Sequence, residues 1–193
     1  MQTSIAIALA WPETYCKQPS SWYDKPAGWL GIADNNYYQV GHAAIILIEP
    51  GTNECLYFDF GRYHAPFGRG RVRDKYTDHE LMIKTEAKVL GSKLLNLDEI
   101  LAEIQGKEEC HGDGKVHAGT AIIDFEKAYD KAKEMQNKGT ITYGPFTPVG
   151  TNCSRFVRRV LYSSVVSNSI KVRLRITRSL SPTPLGIVKK LKH

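Results

Sequence analysis

The sequence of 193 residues lacks the features that mark several classes of protein. No apolar segment approaches the roughly 18–20 residues that a membrane-spanning helix needs. The cysteines show no CxxC or other metal-type spacing, so we predict no metal site, and no motif indicates a cofactor. Because a chain of this size can bury a sufficient core without disulfides, we expect reduced thiols. The four cysteines are Cys16, Cys55, Cys110 and Cys153.

The N-terminus also lacks the positively charged segment that opens a secretory signal peptide. Its apolar run covers only Ile5 to Trp11, and the alternation before Trp-Pro indicates a first strand of the domain instead. We therefore expect no Sec-type signal. That expectation leaves a chain that stays in the cytoplasm or is exported by another route.

The charge is basic, with 26 Lys and Arg against 20 Asp and Glu and a formal net charge of +6. Such a balance fits an anionic partner such as nucleic acid, a phospholipid surface or a cell-wall polymer. No nucleic-acid-binding motif is present, so we expect no nucleic-acid partner. A non-enzymatic basic binding module stays open as an alternative, with the basic face of a strand predicted at 169–178 as its surface.

The order of elements predicts the fold class. Apolar periodicity and turn residues predict strands at 4–10, 42–49, 54–60, 83–90, 115–123, 140–146 and 169–178, helices at 95–105, 124–139 and 152–163, and loops at 12–38 and 62–80. Runs of strands with interposed helices, and only partial βαβ alternation, predict an α+β fold with a mainly antiparallel sheet.

The strands at 42–49 and 54–60 form the clearest predicted hairpin, because Pro, Gly, Thr and Asn fill the turn between them. If Gly51 and Thr52 centre the turn, position 44 faces 59. Asp59 is then a diagonal neighbour of His42 on the same face. Aspartate is depleted in strands, which favours a role for this carboxylate as the partner of His42. A register shifted by one residue would move Asp59 to the opposite face.

The stretch TNCSRFVRRVL, at 151–161, places Cys153 at the start of an apolar and basic helix with Asn152 as a good N-cap. One interpretation is a small buried core residue. The other is a nucleophile, because the amides and dipole of a first helical turn stabilise a thiolate and could also stabilise an oxyanion.

A nucleophilic cysteine needs a base, usually a histidine that is distant in sequence. His42 is the candidate because it follows Gly41 and opens the buried strand AAIILI. The remaining histidines lie in polar turns, just after the hairpin or at the end of the chain: His64, His79, His111, His117 and His193.

Three segments in this order, GHAAIILI, YFDFGRY and TNCSRFVRRVL, resemble the circularly permuted branch of the NlpC-like, papain-like cysteine hydrolases, which includes the lecithin–retinol-acyltransferase-like enzymes. In the unpermuted order the cysteine helix precedes the histidine strands. The resemblance implies a papain-like sheet packed against the nucleophile helix, with extra helices inserted. It implies a single catalytic domain over 1–193, with 62–140 partly an insertion. The orienting residue is often His in the acyltransferase group and is Asp here.

The resemblance also implies a Cys–His–Asp site, with Cys153 as nucleophile, His42 as base and Asp59 as the orienting group. The reaction would pass through a thioester. NlpC-like enzymes commonly cut peptide cross-bridges of the bacterial cell wall, so the leading function is a peptidase or amidase with peptidoglycan-type peptides as substrate. An acyltransferase or thioesterase could use the same residues.

The loop GRYHAPFGRGRVR places four arginines directly after the proposed orienting strand, at the predicted rim of the active site: Arg62, Arg69, Arg71 and Arg73. Arg62, Arg69 and Arg71 are predicted to bind the substrate, because arginine forks suit the carboxylates of an anionic peptide. The alternative is a solvated basic loop.

Overall fold

The structure is a computed structural model that describes residues 2–17, 33–34, 37–39, 41–110, 112–144, 149–175 and 182–191. Its strands are β1 Thr3–Trp11, β2 Tyr15–Lys17, β3 Ala33–Asp34, β4 Tyr37–Gln39, β5 His42–Ile48, β6 Cys55–Gly61, β7 Arg69–Arg73, β8 Val89–Leu90, β9 Lys93–Leu94, β10 His117–Asp124 and β11 Ile141–Thr142. Its helices are α1 Leu97–Gln105, α2 Phe125–Asn137, α3 Cys153–Ser164, α4 Asn168–Arg175 and α5 Pro184–Leu191, with short 3₁₀ turns at His79–Leu81 and Glu108–Cys110.

A six-stranded sheet with the order β10-β1-β5-β6-β7-β11 forms the centre of the fold. Its pairings between neighbouring strands are antiparallel. Together with the helices, this confirms the predicted α+β class with a mainly antiparallel sheet. Two smaller sheets have the strand orders β2-β4-β3 and β8-β9. The division into one catalytic domain with 62–140 as a partial insertion stays a prediction.

Both faces of the central strands are buried, because alternate side chains point to opposite layers. Ala43, Ile45 and Leu47 of β5 join one apolar cluster with helices α2 to α5. Ala44, Ile46 and Ile48 join a second cluster with α1 and the 3₁₀ turns. The strands therefore have no polar face, and a carboxylate in the middle of β6 must find its partners within the protein.

The hairpin has the predicted register. Ala44 pairs with Asp59, and Ile46 pairs with Tyr57. The turn residues Gly51 and Asn53 adopt positive φ values of 91° and 59°, which glycine and asparagine tolerate better than other residues. The prediction that Asp59 shares a face with His42 is thereby confirmed.

Two predicted helix starts are also observed. The Asn152 side chain accepts a hydrogen bond of 2.8 Å from the Arg155 backbone N–H and caps α3. Asp124 caps α2 by accepting from the Lys127 backbone N–H at 3.5 Å. Each side chain satisfies one of the backbone donors that a helix start leaves without an intrahelical partner.

The predicted basic strand at 169–178 is wrong, since residues 168–175 form helix α4. Ile170 and Leu174 are buried, whereas Val172 is 58% exposed. Burial therefore repeats every four residues and not every two. A short alternating pattern does not separate the two structures, and packing of the i, i+4 stripe decides for the helix. The rest of that prediction, 176–178, lies outside the described residues.

Other predicted boundaries also need correction. The loop predicted at 62–80 contains strand β7, and the loop predicted at 12–38 contains β2 and parts of a small sheet where it is described. Only Val89–Leu90 of the strand predicted at 83–90 is a strand. Ile141–Thr142 is the strand within 140–146, whose last two residues lie outside the described part. Helix α5 was not predicted. In the described part of the chain, no helix has the length and apolarity to cross a bilayer.

Candidate active site

His42 sits at the first position of β5, and the glycine before it is required by packing. Gly41 has φ of 73°, and a Cβ at this position would lie 2.8 Å from the Trp11 carbonyl oxygen. A side chain other than hydrogen would displace β1 or the start of β5. Gly41 thus lets the start of β5 lie close to β1, and His42, the next residue, is only 4% exposed.

Asp59 lies near the end of β6, with its side chain fully buried. Its Oδ2 is 3.4 Å from Nε2 of His42, as expected from the diagonal relation in the hairpin. This separation is longer than a normal N–H···O hydrogen bond. Nε2 therefore has no hydrogen-bond partner among the described residues, and catalytic hydrogen bonds that are long in a free enzyme often shorten when substrate binds. Because Nε2 faces the carboxylate, Nδ1 is the nitrogen that remains for the thiol of Cys153.

Cys153 is the first residue of α3 and is 5% exposed. The helix packs on the sheet face opposite to that of His42 and Asp59, so the thiol meets the imidazole at the end of β5. The Ala43 backbone N–H and the Ser154 hydroxyl also lie next to the sulfur. A buried thiol at a helix start, in contact with a histidine, is the arrangement that stabilises a thiolate.

The ionisation of the pair follows from its contacts. Burial alone would lower the pKa of His42, but the interactions with Asp59 and Cys153 outweigh it and raise the pKa to about 9. Burial alone would raise the pKa of Cys153, but the His42 imidazole outweighs it and lowers the pKa below its ordinary value. The two shifts have the signs that favour a thiolate–imidazolium pair at neutral pH.

Arg73 is the fourth arginine of the predicted rim, and the structure gives it a different place. It ends strand β7 directly opposite Asp59, and it donates two hydrogen bonds to the carboxylate. The alternation in RGRVR was a signal for this strand, but the neighbouring glycines favoured a loop. Because no short turn joins this strand to β6, its register cannot be inferred from the sequence, and neither can the pairing of Asp59 with Arg73.

A cavity of about 500 Å³ opens at this end of the sheet. His42 lines it, together with aromatic side chains and polar groups of both charges. The aromatic members are Tyr15, Phe60, Tyr63 and Tyr143, and the polar or charged ones are Thr14, Arg62, Glu108 and Asp113. A mixed lining of this kind suits a polar ligand with some apolar surface.

Only one of the three arginines predicted to bind substrate lines this cavity. Arg62 does so, with its guanidinium 5.1 Å from the centre of the Tyr143 ring. Arg69 donates to Thr140, with 2.8 Å between Nε and Oγ1, and Arg71 forms a two-hydrogen-bond pair with Asp78 at 2.7 and 2.6 Å. The contacts of Arg69 and Arg71 lie outside the residues that line the cavity, so the structure supports Arg62 best, and the substrate-binding role of all three stays a prediction.

The other described thiols differ from Cys153. Burial is the main cause that raises the pKa of Cys55 to about 12 and that of Cys110 to about 11. The thiols of Cys55, Cys110 and Cys153 are free, whereas the side chain of Cys16 lies outside the described part of the structure. Within the described ranges, no group of three or more His, Cys, Asp or Glu side chains could hold a metal ion.

Comparison with known proteins adds a family assignment to this geometry. The family described as "Type VI secretion system effector TseH-like" matches residues 6–170. No curated protein matches the chain. The crystal structure of the type VI secretion system effector TseH is similar to this chain with a TM-score of 0.52 and 17% sequence identity, over 82% of this chain and 75% of that one. At this identity the structural likeness concerns the fold alone.

Proposed function

This chain belongs to the TseH-like family of type VI secretion system effectors, and we propose that it is a cysteine peptidase or amidase acting on cell-wall-type peptides. The observation that carries the proposal is the position of His42, between the Cys153 thiol and the Asp59 carboxylate and at the wall of the cavity. We further propose that the papain-like fold is in the permuted order, with the histidine strand before the nucleophile helix.

The proposed reaction has two halves. His42 accepts the Cys153 proton, and the thiolate attacks the carbonyl carbon of the scissile amide. The tetrahedral intermediate collapses to a thioester as the C–N bond breaks, and His42 gives its proton to the leaving amine. His42 then takes a proton from water, which attacks the thioester and releases the carboxylic acid and the thiol. Asp59 stabilises the imidazolium in both halves.

The cavity favours a peptide over a lipid acyl chain. Its polar wall carries a guanidinium and two carboxylates, from Arg62, Glu108 and Asp113. An acyl chain would strip water from these groups without giving hydrogen bonds in return. A peptide has both amide groups and charges to pair with them. The lining of the cavity therefore favours a peptide hydrolase over a lipid acyltransferase, although the same three catalytic residues could support either reaction.

The family assignment supports delivery by a type VI secretion system. Peptides of a bacterial cell wall would then be within reach of the enzyme after its transfer. The proposal therefore joins the site chemistry to a route of export.

The test is a product analysis. Purified protein is incubated with peptidoglycan fragments that carry stem peptides and cross-bridges, and the masses of new fragments identify the bond that is cleaved. We expect a gain of one water across an amide bond, and no cleavage by Cys153→Ala. Cys55→Ala is the matched control, since it removes a buried thiol of the second apolar cluster. Transfer of the acyl group to an added amine without hydrolysis would assign the acyltransferase instead.

Arg62 gives a prediction on substrate affinity. Arg62→Ala should raise KM for a carboxylate-bearing peptide about tenfold and change kcat by less than about threefold, since uniform binding is lost and the chemistry is kept. The effect should shrink at high salt, because Arg62 is only half-buried and charges that water reaches are screened over about 10 Å at 0.1 M. Arg69→Ala serves as the comparison, because Arg69 does not line the cavity. An equal rise in KM for Arg69→Ala would show that Arg69 also binds the substrate, as the sequence predicts.

A further inference from the structure

The Asp59 carboxylate is bound more tightly by an arginine than by the histidine it is expected to orient. Arg73 donates from Nε to Oδ1 at 3.0 Å and from Nη2 to Oδ2 at 2.6 Å. His42 Nε2 and the Tyr57 hydroxyl are each 3.4 Å from Oδ2. A bidentate arginine–carboxylate pair is among the strongest and most directional contacts available to a side chain.

Arg73 is itself held from several sides. It stands opposite Asp59 in the β6–β7 ladder, and its Nη2 also donates to the Glu109 carbonyl at 3.0 Å. The Tyr63 ring covers the guanidinium, with Cζ 3.5 Å from the ring centre. Arg73 is 4% exposed, and Tyr63, whose ring covers its guanidinium, lines the cavity.

We infer that Arg73 is a positioning residue of the active site, which keeps the Asp59 carboxylate ionised and fixed in the orientation that faces His42. The inference rests on the proposed Cys153, His42 and Asp59 chemistry and adds a fourth member to it. Arg73 comes from β7, within the segment 62–140 that carries no catalytic motif. That segment therefore contributes to the site as well as to the fold.

The physical reason is the cost of a buried charge. Without Arg73, Asp59 would be a fully buried carboxylate with one histidine as its cation. It would then either bind a proton, and stop stabilising the His42 imidazolium, or stay ionised as an unneutralised charge near the Cys153 thiolate. Both outcomes disfavour the thiolate at acid pH. Arg73 prevents both, because it neutralises the carboxylate and leaves its Oδ2 beside His42.

Other ionisable groups near Asp59 bear on this argument. Tyr57 faces it from its own strand, His42 from β5 and Cys110 from the Glu108–Cys110 turn, and Cys153 lies beyond His42. Asp78 lies within electrostatic range of Arg73, whose outer face is covered by Tyr63. Burial alone would raise the pKa of Asp59, but His42 and Arg73 outweigh it and lower the pKa. Arg73 is the cation in this set whose charge does not depend on pH.

The test reads the thiolate of Cys153 without a substrate. The rate of iodoacetamide alkylation at Cys153 is followed by peptide mass spectrometry from pH 4 to pH 9 in wild type, Arg73→Met and Arg73→Lys. We expect the acid limb of Arg73→Met to move up by about one pH unit or more, which is at least about a tenfold slower reaction at the foot of the wild-type limb. Arg73→Lys keeps the charge but loses the fork, so its shift should be smaller.

A matched control separates positioning from stability. Lys133→Met removes the cation that pairs with the buried Asp74 carboxylate at 2.9 Å, away from the cavity. It should lower the melting temperature and leave the acid limb in place. An Arg73→Met protein that also loses stability but keeps the wild-type acid limb would overturn the inference.

Two further outcomes are decisive. If Arg73→Met does not fold, the double variant Asp59→Asn/Arg73→Met is used, because it leaves no buried charge at this pair. Its alkylation profile is compared with that of Asp59→Asn alone. The inference requires the two alkylation profiles to coincide, and an additional shift in the double variant contradicts it. If wild-type Cys153 reacts no faster than Cys55, the proposed function itself fails. A fast wild type with an unshifted Arg73→Met refutes only the role of Arg73.

Discussion

Iodoacetamide is expected to alkylate Cys153 at least about 10²-fold faster than Cys55 or Cys110 at pH 7. The pKa of Cys153 is lowered by His42, whereas burial is the main cause that raises those of Cys55 and Cys110 to about 12 and about 11. Cys153 therefore has a larger thiolate fraction at this pH than the other two cysteines. A small reagent is needed, because the residue is only 5% exposed.

The pH profile has a definite sign. As the pH rises, the rate should rise through the lowered pKa of Cys153 and reach its plateau at a lower pH than the rate of an ordinary thiol, whose pKa is about 8.5. The plateau should extend to pH about 9, where His42 loses the proton that makes it the partner of the thiolate. Peptide mass spectrometry on the folded protein gives the rate for each cysteine separately.

His42→Gln is the variant that links this reactivity to the base. Without the imidazolium, burial again dominates the pKa of Cys153, so the rate at pH 6 should fall at least about 10²-fold. His117→Gln, in strand β10 outside the cavity, should leave the rate unchanged. Equal rates for Cys153 and Cys55 in wild type would show that the thiol is a core residue.

The parts of the site that depend on local pattern could be predicted from the sequence. The turn at 50–53 fixes the hairpin register, and with it the diagonal relation of Asp59 to His42. Asn152 marks the start of the helix that carries Cys153. Each of these relations involves neighbours in the chain or strands joined by a short turn.

The parts that depend on distant pairing could not be predicted. Arg73 reaches Asp59 because β7 pairs with β6 on the side away from β5, after a seven-residue loop at 62–68. The sequence allows two interpretations of the arginines in 62–80: they lie in a solvated loop, or they bind the substrate at the rim of the site. The structure shows a third, in which one arginine is buried as a counterion. Similarly, four alternating apolar positions predict a strand where α4 forms. In α4 only Ile170 and Leu174 are buried among the described residues, and this spacing of four fits a helix.

Asp59→Asn is expected to lower kcat about 10- to 10³-fold. The amide does not carry the charge that stabilises the His42 imidazolium, and it can stabilise the wrong tautomer of the ring. The Ser-His-Asp example in serine proteases loses about 10⁴ on this change. A smaller loss is expected here, because a thiol ionises with less help from its base than a hydroxyl does.

The same variant should also be less stable, by about 2–4 kcal/mol. From the sequence alone, little change in stability would be expected, because His42 is the only partner that the hairpin gives to Asp59. The structure changes this expectation. Arg73 donates to both carboxylate oxygens, so in either orientation the new amide N–H₂ faces an Arg73 N–H, and the guanidinium is left buried without an anion.

Loss of activity and loss of stability must therefore be measured apart. Turnover is determined at a temperature at which circular dichroism shows the variant fully folded, and the melting temperature is recorded separately. Asp74→Asn is the matched control, since Asp74 is 2% exposed and pairs with Lys133 away from the cavity. It should lower the melting temperature while kcat stays within about threefold of wild type. Full activity in folded Asp59→Asn would remove the carboxylate from the mechanism, and Arg73 with it, and leave His42 and Cys153 as a pair.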